Sequence, residues 1–184
     1  SELSIEDDIK VFPPGNYSIL NGNELTFHRY FSLMSLSYTS DIYNDKERAY
    51  DFSTTIVRDT LVDAVKKRLL SDRPIACLLS GGLDSSLIAS IVSKHYNKQL
   101  ETFSIGFEGS PDLINARKVA EFLKTKHHEI IVTEKEFLDA IPDTIKRIES
   151  YDTTSVRASV RNSLVAKYIS ENSDAKVIFN GDGA

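Results

Sequence analysis

The sequence predicts an α/β fold, in which a parallel sheet carries helices on both faces and a short β-hairpin precedes it. Two observations lead to this fold class. Short apolar runs alternate with longer segments of helical period from residue 46 to residue 180. Before them, an Asn-Gly pair at residues 21 and 22 separates two runs that contain aromatic and aliphatic residues. The alternation implies crossover connections between parallel strands, and the Asn-Gly pair is typical of a tight hairpin.

The hairpin occupies the first part of the chain. The turn Phe12-Pro13-Pro14-Gly15 leads into the strand-like run Tyr17-Ser18-Ile19-Leu20, and aromatic residues resume over residues 24–31. Residues 32–44 are rich in Ser and Tyr and show neither helical nor strand period, which indicates a linker. We therefore expect a domain boundary near residue 40, between residues 1–40 and residues 41–184.

The alternating part begins with a long helix over residues 46–70, for which Asp45 is available as an N-terminal cap. Its apolar stripe consists of Ile56, Val57, Leu61, Val65 and Leu69. The pattern then predicts strands over residues 75–79, 102–107, 129–132 and 176–180. It predicts further helices near residues 84–96, 112–124, 134–149 and 157–171. We therefore expect four strands of a parallel sheet.

Composition and charge exclude several classes of protein. The 184 residues are 41% hydrophobic and 27% charged, as in an ordinary globular domain. The net charge of −5 opposes a general attraction to nucleic acid or to anionic membranes, and no apolar run is long enough to span a bilayer. The single cysteine, Cys77, excludes an internal disulfide framework, so we expect a cytoplasmic protein with a buried, inert thiol.

The two ends of the sequence lead us to expect a piece of a longer polypeptide. The chain begins with Ser1-Glu2-Leu3 and lacks an initiator Met. It stops at Gly-Asp-Gly-Ala, directly after the apolar run Val177-Ile178-Phe179. A strand that ends in a glycine-rich loop usually leads to a further element.

The stretch from Leu79 to Ser86, Leu-Ser-Gly-Gly-Leu-Asp-Ser-Ser, is the strongest candidate for a site. It follows the first predicted parallel strand, and open parallel sheets bind ligands beyond the carboxyl ends of their strands. Gly81 and Gly82 have no Cβ, so the backbone N–H groups of the loop can approach an anion closely. The neighbouring hydroxyl donors are Ser80, Ser85 and Ser86. The stretch predicts a phosphate cradle, and the alternative is an ordinary strand-to-helix turn with Asp84 as the N-cap.

Asp84 implies a metal ion. A carboxylate beside phosphate groups repels them by several kcal/mol unless a cation lies between them. We therefore expect Mg²⁺ to be shared between Asp84 and phosphate oxygens, with water completing its coordination. The Lys-Ser/Thr ending of a Walker A loop is missing, so the sequence does not indicate a kinase or a GTPase.

The string from Ser80 to Ser86 resembles the pyrophosphate-binding loop of the ATP pyrophosphatase (PP-loop) superfamily, whose members cleave ATP between the α and β phosphates. Three further stretches resemble the glutamine-hydrolysing asparagine synthetases, namely Thr-Phe-Ser-Ile-Gly-Phe at 102–107, Glu-Ser-Tyr-Asp-Thr-Thr-Ser-Val-Arg-Ala-Ser at 149–159 and Asn-Gly-Asp-Gly at 180–183. This resemblance covers about residues 46–184. It implies the adenine nucleotide alpha hydrolase-like fold, with residues 41–184 as the first part of a synthetase domain. The Phe-Pro-Pro-Gly turn resembles the tail of the family's glutaminase domain, which residues 1–40 would complete together with a linker.

The resemblance also implies a reaction, the ATP-dependent amidation of aspartate to asparagine through β-aspartyl-AMP, with nitrogen from glutamine or ammonia. The residues expected to bind the nucleotide are Leu79, Ser80, Gly81, Gly82, Asp84, Ser85, Ile105, Asn180 and Gly181, of which Leu79 and Ile105 would flank the adenine. The residues expected to act on the substrates are Thr154, Arg157 and Asp182. Asp84 would also bind the metal ion. The partners would be these substrates and the glutaminase domain of the same chain, and a homodimer stays open.

Two departures from the family pattern concern the substrate. The family usually continues Arg-Ala-Ser with Thr-Pro, where this chain has Val160-Arg161, and its usual Gly-Glu-Gly is here Gly-Asp-Gly at Asp182. Another carboxylate-adenylating amide synthetase, such as a β-lactam synthetase, is therefore an alternative, and so is a nucleotide-binding module without turnover. The resemblance places a second acidic metal-binding residue and a catalytic lysine beyond residue 184, so we expect this piece alone to be inactive.

Overall fold

The computed structural model describes residues 10–32 and 46–182. The chain divides into two compact units, one up to Thr55 and one from Ile56 onward. Residues 33–44 of the predicted linker lie outside the described residues, as do the predicted boundary near residue 40 and the predicted cap Asp45. None of the described helices combines the length and the apolar character that a membrane span needs.

The first unit contains the predicted hairpin, which is confirmed. Strand β1 (Asn16–Asn21) pairs antiparallel with strand β2 (Glu24–Arg29). Asn21 lies opposite Glu24, so the loop residues are Gly22 and Asn23. Gly22 has a φ of +58°, which glycine adopts at little cost, and a positive φ at the first loop position is typical of a type II′ turn.

The second unit is built round a four-stranded parallel sheet, which confirms the predicted fold class. Its strands are β3 (Ile75–Leu78), β4 (Glu101–Gly106), β5 (Lys126–Ile131) and β6 (Val177–Phe179), and they lie in the order β5-β4-β3-β6. The chain moves outward from β3 through β4 to β5 and then crosses back to the other side of β3. The direction of winding therefore reverses between β3 and β6, where open parallel sheets form a ligand crevice.

The helices within residues 46–182 follow the predicted alternation. They are α1 (Lys46–Arg68), α2 (Leu83–His95), α3 (Pro111–Leu123), α4 (Glu134–Asp139), α5 (Ile141–Ile148) and α6 (Thr153–Asn172). Side chains alternate along β3, so Ile75 and Cys77 pack with Val92 of α2 on one face of the sheet. On the other face, Ala76 packs in a cluster with Val165 of α6. Apolar clusters therefore cover both faces of the sheet, as predicted.

The prediction of one helix over residues 134–149 is wrong, because two helices meet there at Ala140. Pro142 lies in the first turn of α5. Proline is favoured at that position, since its missing N–H would have no helical partner, but it cannot continue a preceding helix. The apolar period continues across the junction, and therefore the sequence pattern hides the break.

The predicted starts of β5 and α6 are each wrong by a few residues. Strand β5 begins at Lys126 rather than at residue 129, because its polar residues find partners on β4. Lys126 Nζ lies 2.5 Å from Glu101 Oε1, and His127 Nδ1 lies 2.9 Å from Thr102 Oγ1. Helix α6 begins at Thr153 rather than at residue 157, because Asp152 caps it.

Replacing Asp152 by alanine should lower the melting temperature of the second unit at pH 7. The Asp152 carboxylate accepts a hydrogen bond of 2.8 Å from the Ser155 N–H, and this bond holds the pKa of Asp152 below its ordinary value of 3.8. A lowered pKa in the folded state stabilises the fold above pH 3.8, and the stabilisation is lost as the pH falls through the lowered pKa. Thermal unfolding should show a smaller difference in melting temperature between Asp152→Ala and wild type at pH 3 than at pH 7. Asp152→Asn should keep most of the stabilisation that the cap provides. A difference that is unchanged at pH 3 would contradict this account.

The Cys77 thiol should react with Ellman's reagent only after unfolding. Cys77 is fully buried in β3, and burial raises the pKa of its thiol to about 12. The thiol is therefore both inaccessible and protonated at pH 8. Labelling at pH 8 without and with denaturant, with the Cys77 peptide identified by mass spectrometry, checks this expectation. Rapid labelling of the native protein would contradict it.

Candidate functional site

A cavity of about 510 Å³ opens at the carboxyl ends of the parallel strands, beside the reversal between β3 and β6. Its walls come from the loop after β3, the end of β4, the loop after β6, the first turns of α2 and α3, and the middle of α6. The predicted site residues that line it are Leu79, Ser80, Gly82, Asp84, Ser85, Ile105, Asn180, Gly181 and Asp182. The fold therefore brings together residues from three separate stretches of sequence.

Gly81 and Gly82 are glycines for different physical reasons. Gly81 has a φ of +76°, and a Cβ there would lie 2.4 Å from the backbone nitrogen of Ala116 in α3. Its backbone therefore fits against α3 only without a side chain. Gly82 has an ordinary φ of −72°, and its nearest neighbour would be Ser80 Oγ at 3.4 Å. Gly82 borders the cavity and Gly81 is not among its lining residues, so Gly81 shapes the loop from behind.

The serine hydroxyl groups hold the loop in its bent form. Ser85 Oγ accepts a hydrogen bond from the Ser80 N–H at 3.2 Å and lies 2.9 Å from Ser80 Oγ. The Gly82 N–H donates to Ser80 Oγ at 3.3 Å. Ser86, the third predicted hydroxyl donor, is not a lining residue of the cavity, and no described group forms a hydrogen bond with its buried hydroxyl. The loop thus presents Ser80 and Ser85, but not Ser86, to the cavity.

The first turn of α2 faces the same cavity. The helix begins at Leu83 with Gly82 as its N-cap, so Asp84 lies inside the first turn and is not the cap. Gly82 has no side chain to cap the helix, and the first N–H groups of a helix have no partners within it. These N–H groups and the positive end of the helix dipole favour an anion at this point.

The loop after β6 lies directly against this first turn. A Cβ at Gly181 would lie 2.6 Å from the Ser85 nitrogen and 2.8 Å from the Asp84 carbonyl carbon, so the contact leaves no room for a side chain. Beside it, Asn180 Nδ2 donates a hydrogen bond of 3.1 Å to Asp182 Oδ2. The close contact at Gly181 therefore places the side chains of Asn180 and Asp182 next to the start of α2.

Carboxylates outnumber cations among the described lining residues. The charged residues among them are Asp84, Asp112 and Asp182, and one cation, Arg161. A polyphosphate would be repelled here unless divalent cations came with it. Carboxylate oxygens are the ligands that Mg²⁺ prefers, and this ion usually takes one or two carboxylates together with phosphate oxygens. Within the described residues, no group of three or more His, Cys, Asp or Glu side chains is placed to hold a metal ion by itself.

The two predicted adenine neighbours differ in what they offer to a ligand. Leu79 is 1% exposed, and its side chain belongs to the core cluster of Cys77 and Val92. Its N–H donates to the Phe103 carbonyl at 2.8 Å. Ile105 is half-buried on the other face of the sheet. An apolar ligand would therefore find more side-chain surface at Ile105 than at Leu79.

Thr154 and Arg157 line a second, adjacent cavity of about 340 Å³. Its other lining residues are Thr153, Ala158 and Arg161, and the last two also line the first cavity. The structure thus places Thr154 and Arg157 beside the cavity of the glycine loop rather than inside it. No carboxylate is among the described lining residues of the second cavity, so its charge is positive.

Asp112 and Arg161 also line the first cavity, although neither was predicted from the sequence as a site residue. Asp112 lies in the first turn of α3, directly after β4, so the rule that ligands bind beyond strand ends could have indicated it. Arg161 follows Arg157 by four residues on α6, which places both on one face of the helix. Arg161 Nη1 lies 3.9 Å from Asp112 Oδ2, and this pairing between two helices leaves no signal in the local sequence.

Residues 56–184 match the family described as Asparagine synthase. The chain is 39% identical over 191 residues to the asparagine synthetase (glutamine-hydrolyzing) of Mus musculus, a match that covers 96% of this chain and 34% of the relative. It is 39% identical over 197 residues to the enzyme of the same name from Gallus gallus, with 98% of this chain and 35% of the relative covered. The chain thus spans about a third of the length of the curated relatives it matches.

Among solved structures, similarity is found to the NH3-dependent NAD synthetase of Campylobacter jejuni subsp. jejuni. The TM-score is 0.47 at 18% sequence identity, and the match covers 67% of this chain and 54% of that chain.

Proposed function

Because the chain belongs to the asparagine synthase family, we propose that it forms the nucleotide-binding part of an enzyme that makes asparagine from aspartate with ATP. The family that the sequence motifs indicated is confirmed by the match over residues 56–184.

The observation that carries the proposal is the contact between Gly181 and the first turn of α2. It brings the loop after β6 against the loop after β3, so that helix N–H groups, two serine hydroxyls and the carboxylates of Asp84 and Asp182 border one cavity. The cavity volume of about 510 Å³ lies within the range of small-molecule and cofactor sites. This arrangement suits a nucleotide polyphosphate that carries a divalent ion.

The chemistry begins with a poor electrophile, since a carboxylate does not react with ammonia at neutral pH. In the proposed reaction, a side-chain carboxylate oxygen of aspartate attacks the α-phosphorus of ATP. The bond from that phosphorus to the α–β bridging oxygen breaks, and pyrophosphate leaves with the electron pair. Ammonia then attacks the carbonyl carbon of the β-aspartyl-AMP, AMP leaves with the electron pair of the carbon–oxygen bond, and the attacking nitrogen loses one proton to give the amide.

The loop and the start of α2 would bind the pyrophosphate half of the nucleotide. The N–H groups of the first turn, Gly82 and the hydroxyls of Ser80 and Ser85 border the volume where negative charge grows as pyrophosphate departs. Donors that are already in place stabilise such charge without reorganising during the reaction. In this scheme Gly81 holds the loop against α3 and touches no ligand.

Mg²⁺ is part of the proposal, with Asp84 as its protein ligand. The ion would offset the charge of the phosphate oxygens beside the carboxylates. Asp182 borders the same volume, and Asn180 Nδ2 orients its carboxylate through the hydrogen bond of 3.1 Å.

The remaining roles divide between the two cavities. Ile105, with the backbone of Leu79, would flank the adenine, while Asn180 and Gly181 would approach the nucleotide from the end of β6. Thr154 and Arg157 would bind the acceptor acid and the reacting phosphate from the second cavity. A guanidinium group presents a fork of N–H donors that matches both kinds of oxyanion.

The proposed domain organisation and nitrogen source follow the resemblance to the glutamine-hydrolysing asparagine synthetases. We propose that residues 1–40 complete a glutaminase domain of the same polypeptide and that residues 41–184 open the synthetase domain, with nitrogen from glutamine or from free ammonia. The cytoplasm is the proposed location, supported by the single, buried cysteine of this chain.

The test uses the polypeptide that contains this chain, supplied with ATP, Mg²⁺, aspartate and either glutamine or ammonium. AMP, pyrophosphate and asparagine should form in equal amounts. Pyrophosphate release that requires another carboxylic acid, with no asparagine formed, would overturn the aspartate assignment in favour of a β-lactam synthetase-like reaction. Tight ATP binding without pyrophosphate release with any acid would mark a binding module without turnover.

A further inference from the structure

Arg161 lies where the two cavities meet. It lines both of them, and Ala158 is the other described residue that does so. The Arg161 side chain is 58% exposed, so its guanidinium group is accessible to a ligand. Arg157 lies one helical turn earlier on the same face of α6.

The charges of the described lining residues change sign between the cavities. The described lining of the first cavity contains three carboxylates and one cationic side chain, that of Arg161. The described lining of the second cavity contains Arg157 and Arg161 and no carboxylate. A polyphosphate with its metal ions is suited to the first cavity, whereas a small free acid is attracted toward the second. Arg161 lies at the boundary, where such an acid would meet the α-phosphate.

The present partner of Arg161 is easily exchanged. Arg161 Nη1 lies 3.9 Å from Asp112 Oδ2, at the outer limit of an ion pair. Both side chains are more than half exposed, and such exposed pairs contribute little to stability. A carboxylate that offers both oxygens to the guanidinium fork would form a stronger, two-bond contact. If a ligand carboxylate takes the place of Asp112 as the partner of Arg161, the protein therefore loses little stability.

We propose that Arg161 is a specificity-determining residue that exchanges Asp112 for a carboxylate of the acceptor acid. The inference rests on the proposed function and adds to it the residue that selects acidic acceptors at the cavity junction. Asp112 competes with the acceptor, since it occupies the guanidinium group when no acid is bound.

The test is the acceptor-dependent exchange of labelled pyrophosphate into ATP, measured in the polypeptide that contains this chain. Arg161→Gln should raise the KM for aspartate about 10- to 100-fold, the loss expected for a hydrogen bond to a charged group. The KM for ATP should change less than about twofold, because Arg161 is assigned to the acid and not to the phosphates. Arg161→Lys should recover only part of the loss, since lysine lacks the planar fork.

Asp112→Asn should act in the opposite direction. It removes the competing carboxylate, so the KM for aspartate should fall about two- to fivefold, the range of an exposed ion pair. In the Arg161→Gln background the same substitution should have no effect, because the two residues act through one contact. Arg58 and Asp59, an exposed ion pair outside both cavities, supply the matched controls Arg58→Gln and Asp59→Asn.

Three results with the variants would overturn the proposal. The first is a rise in the KM for ATP rather than for aspartate, which would assign Arg161 to phosphate. The second is a rise in the KM for aspartate with Asp112→Asn, which would make the pair a structural brace. The third is equal effects of Arg161→Gln and the control Arg58→Gln. If the wild type exchanges pyrophosphate only with another acid, the proposed function fails for aspartate, and the Arg161 variants are measured with that acid. If no acid supports the exchange, both proposals are overturned.

Discussion

Replacing Asp84 by asparagine is expected to slow pyrophosphate release about 10²- to 10³-fold while leaving the fold intact. The substitution keeps the size of the side chain but removes the charge that we assign to Mg²⁺ binding beside the polyphosphate. Losses of this size are typical when one group that stabilises transition-state charge is removed. The fold should persist, because Asp84 is exposed and does not cap α2. The measurement is the rate of pyrophosphate release at saturating ATP and aspartate.

Asp143→Asn is the matched control for this prediction. Asp143 is also an exposed aspartate in the first turn of a helix, α5, and it lines neither cavity. Its substitution should leave the rate within about twofold of wild type, since isolated surface substitutions have small effects. Raising the Mg²⁺ concentration should recover part of the lost rate of Asp84→Asn and should not change the rate of Asp143→Asn. Equal rates for the Asp84 and Asp143 variants would contradict the assignment of Asp84 to Mg²⁺ binding.

Replacing Gly81 by alanine is expected to destabilise the second unit by about 3 kcal/mol, the combined cost of backbone strain and a steric clash. The residue has a φ of +76°, and its Cβ would lie 2.4 Å from a backbone nitrogen of α3. A helix backbone cannot yield as a flexible side chain can. Unfolding in urea, followed by pulsed labelling of Cys77, gives the free energy of opening of this unit specifically.

Gly109→Ala separates the two contributions to this cost. Gly109 has a nearly identical φ of +72°, but apart from its own chain neighbours no described atom lies within 4 Å of its added Cβ. It should therefore show the strain alone, about 1 kcal/mol. Equal losses for the Gly81 and Gly109 variants would mean that the contact with α3 does not require glycine.

The sheet and hairpin could be predicted because their signals are local. The Asn-Gly pair marks the hairpin, and the apolar run at Ile75 to Leu79 marks a strand buried on both faces. The break at Ala140 could not be predicted from periodicity, since apolar residues continue across it, although Pro142 offered a hint. The start of α6 could have been predicted from the sequence, because Asp152 belongs to a residue type that is favoured at the N-cap.

The part of the candidate site that lies at the ends of strands could be predicted from the sequence. The glycine loop and Asn180 follow β3 and β6, so the topology of a parallel sheet brings them together. The difference between Gly81 and Gly82 depends on the packing of α3, which no local pattern records. The same holds for Arg161, whose place between two cavities depends on how α6 lies against the sheet.

The central claim is that the loop from Ser80 to Ser85 binds the pyrophosphate half of ATP, and a crystal structure with ATP and Mg²⁺ tests it most directly. In crystals of the polypeptide that contains this chain, the β and γ phosphates should accept hydrogen bonds from the N–H groups at the start of α2. The same soak of a Gly82→Val variant should show no ordered triphosphate, because the new side chain would project from a loop position that now borders the cavity. A triphosphate bound away from this loop, or bound unchanged in the variant, would contradict the account.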